Sequence, residues 1–176
     1  MGGRGASSGG SGGGGKGNGD GGGNGSGGNG QKKDASSSNY VTTYKSDNGG
    51  QVITQQGRID QANKSKNEMT KYQKEQRIAE KLADSGHTVV HLDDSNVADG
   101  SYDALVDGVK TDFKETSSAN NIGKYAKHAI EDQKAQRVVY NFTKVTDATH
   151  SEINKLSGKG IHGYYFVPGK SEPYEF

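Results

Sequence analysis

Residues 102–114 read YDALVDGVKTDFK, and this stretch predicts a β-hairpin. Its centre is the Asp-Gly dipeptide at positions 107 and 108, which is typical of two-residue turns between antiparallel strands when short apolar runs flank it. With that turn, facing residues keep a constant index sum, which places Asp103 opposite Asp112. Lys114 then shares a face with Asp112, because residues two apart in a strand point the same way.

The two faces of this hairpin differ in chemistry. The face predicted to pack on the core carries Ala104, Val106, Val109, Thr111 and Phe113. On the other face, two carboxylates with Cβ atoms about 5 Å apart repel each other unless a positive group lies between them. A hard divalent ion such as Mg²⁺ binds through one or two carboxylates and takes phosphate oxygens, an arrangement that suits phosphodiester hydrolysis. The alternative is a solvated hairpin face with ordinary surface Asp and Lys residues.

Composition divides the chain into three parts. Residues 1–38 are mostly Gly, Ser and Asn, and such a tract lacks the apolar surface that offsets the entropy of ordering, so we expect a disordered linker or tail. Residues 39–60 contain Asp47-Asn48-Gly49-Gly50 between short β-prone runs and read as a peripheral hairpin or linker. Residues 61–176 are long enough for one domain with its own core.

The order of elements in residues 61–176 predicts an α/β domain. A capping box at Ser65 opens a helix that runs to Ser85 and ends before Gly86. Further along the chain we expect a strand at 88–92, a polar loop at 93–100, the central hairpin, a helix at 122–136, a strand at 137–142, a short helix opened by a second capping box at 149–152, and a strand at 161–167. This order predicts a mixed central sheet flanked by helices on both faces.

Charge and composition exclude several classes. The chain has no cysteine, which excludes disulfides and thiolate metal sites. No segment approaches the roughly 20 apolar residues of a membrane span, and the polar amino terminus does not read as a signal peptide. A formal net charge of +1 argues against a strongly basic protein that coats nucleic acid, but it is compatible with a local basic patch.

The hairpin residues resemble a nuclease signature. Tyr102-Asp103 followed by Asp112-Phe113-Lys114 is similar to the PD-(D/E)xK motif, in which an Asp is followed across a hairpin by Asp or Glu, any residue and Lys. Tyr102 stands where the motif has proline, and the second acid is Asp rather than Glu.

The wider run from His87 to Phe142 resembles the C-terminal tRNase domains of bacterial contact-dependent growth-inhibition (CdiA) proteins and related mobile-element toxins. The resemblance covers about residues 66–167 and leaves out the Gly-rich tail. It implies a restriction-endonuclease-like fold, metal-dependent cleavage of tRNA, and a cognate immunity protein that blocks the site.

The resemblance also assigns roles to residues of this sequence. It implies that Asp103 and Asp112 are metal ligands and that Lys114 is the catalytic lysine. Glu75, on the preceding helix, would bind the metal or a water molecule on it, with Glu80 as the competing choice. The implied cation is Mg²⁺, or another divalent ion such as Mn²⁺ or Zn²⁺.

Four further residues are candidates for substrate binding. Thr116 could contact phosphate from the end of its strand, although such residues more often cap the next helix. Lys124 and His128 lie on the early turns of the predicted helix and could grip an RNA backbone, with a solvated basic face as the equal alternative. Gln133 occupies a position where nucleases of this superfamily often carry a polar site residue; the alternative is a surface glutamine. The lysine-rich stretch 64–81 also contains acids and reads as a solvated helix face.

The sequence therefore predicts a monomeric, metal-dependent ribonuclease toxin that cuts tRNA in the bacterial cytoplasm, after delivery into a target cell. Two alternatives stay open: a DNA endonuclease of restriction or resolvase type, and a non-catalytic nucleic-acid- or protein-binding module on the same fold. Near-neutral charge and short length disfavour an enzyme that wraps a duplex. The joint presence of two acids and a lysine disfavours an inactive scaffold.

Overall fold

The computed structural model describes residues 39–93 and 100–176, which contain one mixed sheet of eight strands in chain order. The strands are β1 (Tyr40–Lys45), β2 (Gln51–Gln55), β3 (Thr88–His91), β4 (Ala104–Val106), β5 (Val109–Thr116), β6 (Arg137–Phe142), β7 (Gly163–Phe166) and β8 (Tyr174–Glu175). The pairs β2–β3, β5–β6 and β6–β7 are parallel, and the other neighbours are antiparallel. The predicted mixed α/β architecture is confirmed.

Helices cover both faces of this sheet. They are α1 (Gln56–Ala62), α2 (Lys66–Asp84), α3 (Ile122–Lys127) and α4 (Asp147–Gly158), with a 3₁₀ turn before α3 (Ala119–Asn121) and a π-helical segment after it (His128–Asp132). One buried cluster joins α2 to the sheet through Ile78, Leu82 and Phe113. A second cluster joins α3 and α4 to the sheet and includes Ile122 and Tyr140. The sheet therefore has two packed faces, as the order of elements predicts.

The central hairpin has the predicted turn and register. Asp107 and Gly108 have φ angles of 50° and 82°, the left-handed conformation that a type I′ turn requires at both positions. β4 and β5 pair Val106 with Val109 and Ala104 with Thr111. The same register, continued one residue beyond β4, brings Asp103 opposite Asp112.

The hairpin near the start of the described chain is also present, and it belongs to the main sheet. β1 and β2 are antiparallel, while β2 pairs in parallel with β3. Val52 of β2 is fully buried in the cluster under α2. Residues 39–93 and 100–176 accordingly belong to one compact unit. Helix α1, which follows β2 directly, was not predicted.

Two helix boundaries and one short strand differ from the sequence prediction. α4 starts at Asp147 with Thr146 as its N-cap, so the capping box placed at residues 149–152 is wrong. The helix expected to reach Gln136 ends at Asp132, because Lys134 takes a φ of 61°. The short edge strand β8 was not predicted, and most of the loop expected at 93–100 lies outside the described residues.

The first long helix follows its sequence signals. Ser65 accepts a hydrogen bond from the Glu68 amide as the N-cap of α2, and Gly86 follows the helix with a φ of 92°. Among residues 39–93 and 100–176, no helix combines the length and the hydropathy that a membrane span requires.

Candidate functional site

A cleft of about 190 Å³ opens between α2, β5 and the approach to β4. Its lining residues are Lys71, Lys74, Glu75, Ile78, Asp103, Phe113, Lys114, Glu115 and Gln133. Three of the four predicted catalytic residues are among them. The fourth, Asp112, lies next to the cleft, with its Oδ2 atom 2.5 Å from Nζ of Lys114. The fold thus brings Glu75, Asp103, Asp112 and Lys114 together from three separate segments.

Asp112 is the most strongly perturbed of these residues. Its side chain is 0% exposed. β6 pairs with β5 on the edge away from β4, and α3 packs against β6 on the face of the sheet that carries Asp112. Within the part of the chain that the structure describes, its Oδ1 atom has no hydrogen-bond partner, and its Oδ2 atom is paired with Lys114. Burial, followed by the charge of Asp103, raises the pKa of Asp112 to about 7, although Lys114 lowers it. The solvated-face interpretation of this hairpin is therefore wrong for Asp112.

Asp103 connects the hairpin to the cleft. Its Oδ2 atom accepts a hydrogen bond of 2.8 Å from the Phe113 amide, which fixes the side chain against β5. Its negative charge contributes to the raised pKa values of both Asp112 and Glu75. The three carboxyl groups therefore interact electrostatically.

Glu75 lies on the buried side of α2 and has a dedicated partner. Its Oε2 atom is 2.7 Å from Nη2 of Arg58, and the two side chains are only 8% and 3% exposed. Its Oε1 atom is 3.8 Å from Nζ of Lys71. Burial and the charge of Asp103 raise the pKa of Glu75 to about 7, while Arg58 opposes that rise. The competing choice, Glu80, accepts a hydrogen bond from Gln76 and does not line the cleft.

Gln133 fixes the lysine of the cleft. Its Oε1 atom accepts a hydrogen bond of 3.3 Å from Nζ of Lys114, and its Nε2 atom donates to the Ser101 carbonyl at 3.2 Å. Lys114 is thus held between Asp112 and Gln133.

The other predicted substrate-binding residues lie elsewhere. Thr116 is buried, and its Oγ1 atom accepts from the Ser118 amide at 3.1 Å, so it caps the turn before α3. Lys124 and His128 are exposed but do not line the cleft. His128 is paired with Asp132 at 2.7 Å.

Sequence reasoning missed several residues around this cleft. Arg58 had no local signal, because its helix was not predicted and its role depends on a contact with Glu75 across the fold. His91 is fully buried between the rings of Tyr72 and Phe113, each 5.9 Å away, and burial lowers its pKa to about 3. Lys71 could have been found from its spacing, because it lies four residues before Glu75 on the same helix face.

Two neighbouring carboxylates, those of Asp103 and Asp112, are the groups at this cleft that could hold a magnesium-like ion. Within residues 39–93 and 100–176, no group of three or more His, Cys, Asp or Glu side chains is arranged to hold a metal. Asp103 and Asp112, however, are adjacent acids, and the oxygens of Asp112 are buried with Lys114 as their close cation. Mg²⁺ is usually bound through one or two carboxylates, water and substrate phosphate rather than by a complete protein cage. Glu75 would have to exchange its contact with Arg58 to become a third ligand.

No family model matches the chain, and no curated protein matches it. Among solved structures, the chain is similar to a CdiA-CT/CdiI toxin and immunity complex from Burkholderia pseudomallei. The similarity has a TM-score of 0.47 and 16% sequence identity, and it covers 61% of this chain and 86% of that chain.

Proposed function

We propose that this domain is a metal-dependent nuclease toxin that hydrolyses phosphodiester bonds in RNA, with tRNA as its substrate. The observation that carries this proposal is the position of Asp112. A fully buried carboxylate that lies next to a second carboxylate and has a single lysine as its cation is costly for the folded state. Strongly perturbed acids at a cleft are typical of functional sites.

Asp103 and Asp112 would hold the divalent cation, Mg²⁺ or a similar ion, with Glu75 at the wall of the same cleft. When bound, such an ion supplies positive charge for phosphate oxygens and makes water a better nucleophile. Lys114 carries an ammonium group that neutralises the negative charge developing on the phosphate while water attacks and the ester P–O bond breaks. Gln133 keeps that ammonium oriented toward the cleft.

The choice of RNA rests on the resemblance of residues 66–167 to CdiA-type tRNase domains, as does an immunity protein that covers the cleft. The same resemblance favours action in a bacterial cytoplasm after delivery. The cleft geometry itself is equally suited to DNA phosphodiesters, so the cleavage assay includes both RNA and DNA.

The test is a cleavage assay with total tRNA and plasmid DNA, each in Mg²⁺ and in EDTA. The wild type runs beside Asp112→Ala, whose fold is checked by circular dichroism. We expect discrete tRNA fragments that disappear with EDTA and with Asp112→Ala, while the circular dichroism spectrum stays native.

Other outcomes have distinct meanings. Nicked plasmid with intact tRNA would establish a DNA endonuclease instead. Cleavage that persists in Asp112→Ala would remove this residue from the site. No cleavage of either nucleic acid, together with no metal binding coupled to Asp103 and Asp112, would indicate a non-catalytic binding module.

A further inference from the structure

We infer that the exposed cations Lys71, Lys74 and Arg77 of α2 form a track that binds the phosphate backbone of the nucleic acid and guides it into the cleft. This inference rests on the proposed nuclease function and assigns the surface that holds the substrate. Lys71 and Lys74 line the cleft itself, and Arg77 continues their row one turn further along the helix.

The spacing of these residues gives them a common face. Intervals of three residues place side chains next to each other on a helix, and the row from Lys71 to Arg77 covers about 9 Å at 1.5 Å per residue. The row runs beside β5, as the contacts of Lys74 and Arg77 with Glu115 show. A phosphate chain along this row would lead toward Asp103.

The existing partners of these cations do not hold them firmly. Lys74 and Arg77 lie 3.6 and 3.7 Å from the two oxygens of Glu115, and Lys71 lies 3.8 Å from Glu75. These separations exceed ordinary hydrogen-bond lengths, and the three cations are 51–54% exposed. Exposed ion pairs of this kind contribute little to stability, so phosphate oxygens can replace the carboxylates at small cost.

The row Lys71, Lys74 and Arg77 carries more cations than acidic partners, although the formal net charge of the whole chain is only +1. Glu75 is already compensated by Arg58 at 2.7 Å, which leaves the charge of Lys71 available. Glu115 is shared between two cations and also accepts a hydrogen bond from Asn141.

Lys81, the next basic residue of α2, has a different role. Its Nζ atom donates to Oδ1 of Asn141 at 2.7 Å and lies over the ring of Phe166. It therefore packs against the sheet and ends the track.

The experiment measures binding without cleavage. Every protein carries Asp112→Asn, and the probe is a short 5′-fluorescein-labelled single-stranded RNA followed by fluorescence anisotropy over a range of salt concentrations. Each phosphate contact contributes about 0.7 to the slope of log K against log salt for single strands. We expect Lys71→Gln/Lys74→Gln/Arg77→Gln to reduce that slope by about 2 and to weaken binding at low salt at least about tenfold.

The matched control neutralises the same number of exposed cations away from the cleft: Lys155→Gln/Lys159→Gln/Lys170→Gln, which should keep the slope. A charge-preserving variant, Lys71→Arg/Lys74→Arg, should bind as the parent does. In the cleavage-competent protein, the triple α2 variant should raise KM with little change in kcat, because the track binds the ground state and the transition state alike.

The results separate this inference from the proposed function. An unchanged salt slope in the α2 variant, or an equal loss in the control, would overturn the track. A loss in Lys124→Gln alone would transfer substrate binding to α3. If the Asp112→Asn parent binds neither RNA nor DNA and the wild type cleaves neither, the proposed function fails and the track falls with it.

Discussion

Asp112 occupies a position where an ionised carboxylate is costly, and the cost depends on pH. The folded protein retains the proton of Asp112 up to about pH 7, whereas the ordinary pKa is 3.8. Between these values the folded state binds more protons than the unfolded state does, so the stability of the fold decreases as pH rises from about 4 to about 7. Below pH 4 the carboxyl is neutral in both states, and this contribution to stability is fully present.

Replacing Asp112 with Asn should therefore stabilise the metal-free protein at alkaline pH. Asn keeps the shape and removes the ionisation, so we expect the free energy of unfolding to increase by roughly 2–4 kcal/mol at pH 8. The gain should shrink toward zero near pH 4. Urea denaturation in EDTA across this pH range measures the difference.

The control for this prediction is Asp60→Asn, at an exposed position of α1, which should give no comparable pH-dependent gain. If Asp112→Asn destabilises the protein equally at pH 4 and pH 8, the carboxylate is a structural group whose loss is not linked to its titration.

Arg58 should be essential to the fold through Glu75. Removing one partner of a buried ion pair leaves an uncompensated charge, so Arg58→Met should lower the free energy of unfolding by about 3 kcal/mol at pH 9, above the raised pKa of Glu75. Adding Glu75→Gln to Arg58→Met should recover a large part of that loss. Lys71→Gln, which removes the exposed and more distant partner of Glu75, should cost less than about 1 kcal/mol. Chemical denaturation of the wild type and these three variants measures the differences. Equal losses in Arg58→Met and Lys71→Gln would contradict the role assigned to Arg58.

At the level of single residues, the sequence predicts the features that depend on residues close together in the chain. The Asp-Gly turn fixes the register of β4 and β5, and register alone brings Asp103, Asp112 and Lys114 together. Burial of Asp112 was not predictable, because it depends on β6 and α3 packing from elsewhere in the chain. The same holds for Arg58, whose partner is seventeen residues away on another helix.

At the level of elements, α4 shows how two local signals compete. Both Thr146 and Thr149 could serve as an N-cap, since each is followed by a suitable residue three positions later. In the structure Thr146 is exposed and caps the helix, while Thr149 is buried with Ile153 and Leu156. Residues spaced at four and three positions share a helix face, so starting at Asp147 lets Thr149 join the buried side. Packing therefore selected the earlier of the two caps.

The cap can be tested directly. Thr146→Ala removes the oxygen that accepts from the Thr149 amide, and the loss of such a cap typically costs about 1 kcal/mol. Because Thr146 is exposed, little packing changes with it. Ser151→Ala, at an exposed position within α4, should instead be neutral or slightly stabilising, since Ala favours helices. Equal effects of both substitutions in thermal melts would argue against Thr146 as the cap.

At the scale of the whole molecule, the structure gives residues 39–60 more contacts with the rest of the domain than the sequence predicts. The sequence reads residues 39–60 as a peripheral hairpin or linker, because their polar, β-prone composition carries no sign of a partner strand. In the structure β2 pairs with β3, Val52 is fully buried in the core, and Arg58 compensates Glu75. These three contacts connect the segment to the sheet, to the core and to the cleft.

Two truncated chains test this organisation. Residues 39–176 contain the whole sheet and both buried clusters, so removing residues 1–38 should leave the melting temperature and the cleavage rate unchanged. Residues 61–176 lack β1, β2 and most of α1, which exposes the edge of β3, opens the core at Val52 and leaves Glu75 buried without Arg58. An unpaired buried carboxylate and a cavity in the core each cost several kcal/mol, and together they approach the 5–15 kcal/mol that stabilise an ordinary domain. We expect the shorter chain to lose cooperative thermal unfolding, as followed by circular dichroism. A cooperative melt of residues 61–176 at the temperature of the longer chain would mean that the first hairpin is dispensable and that the domain begins at residue 61.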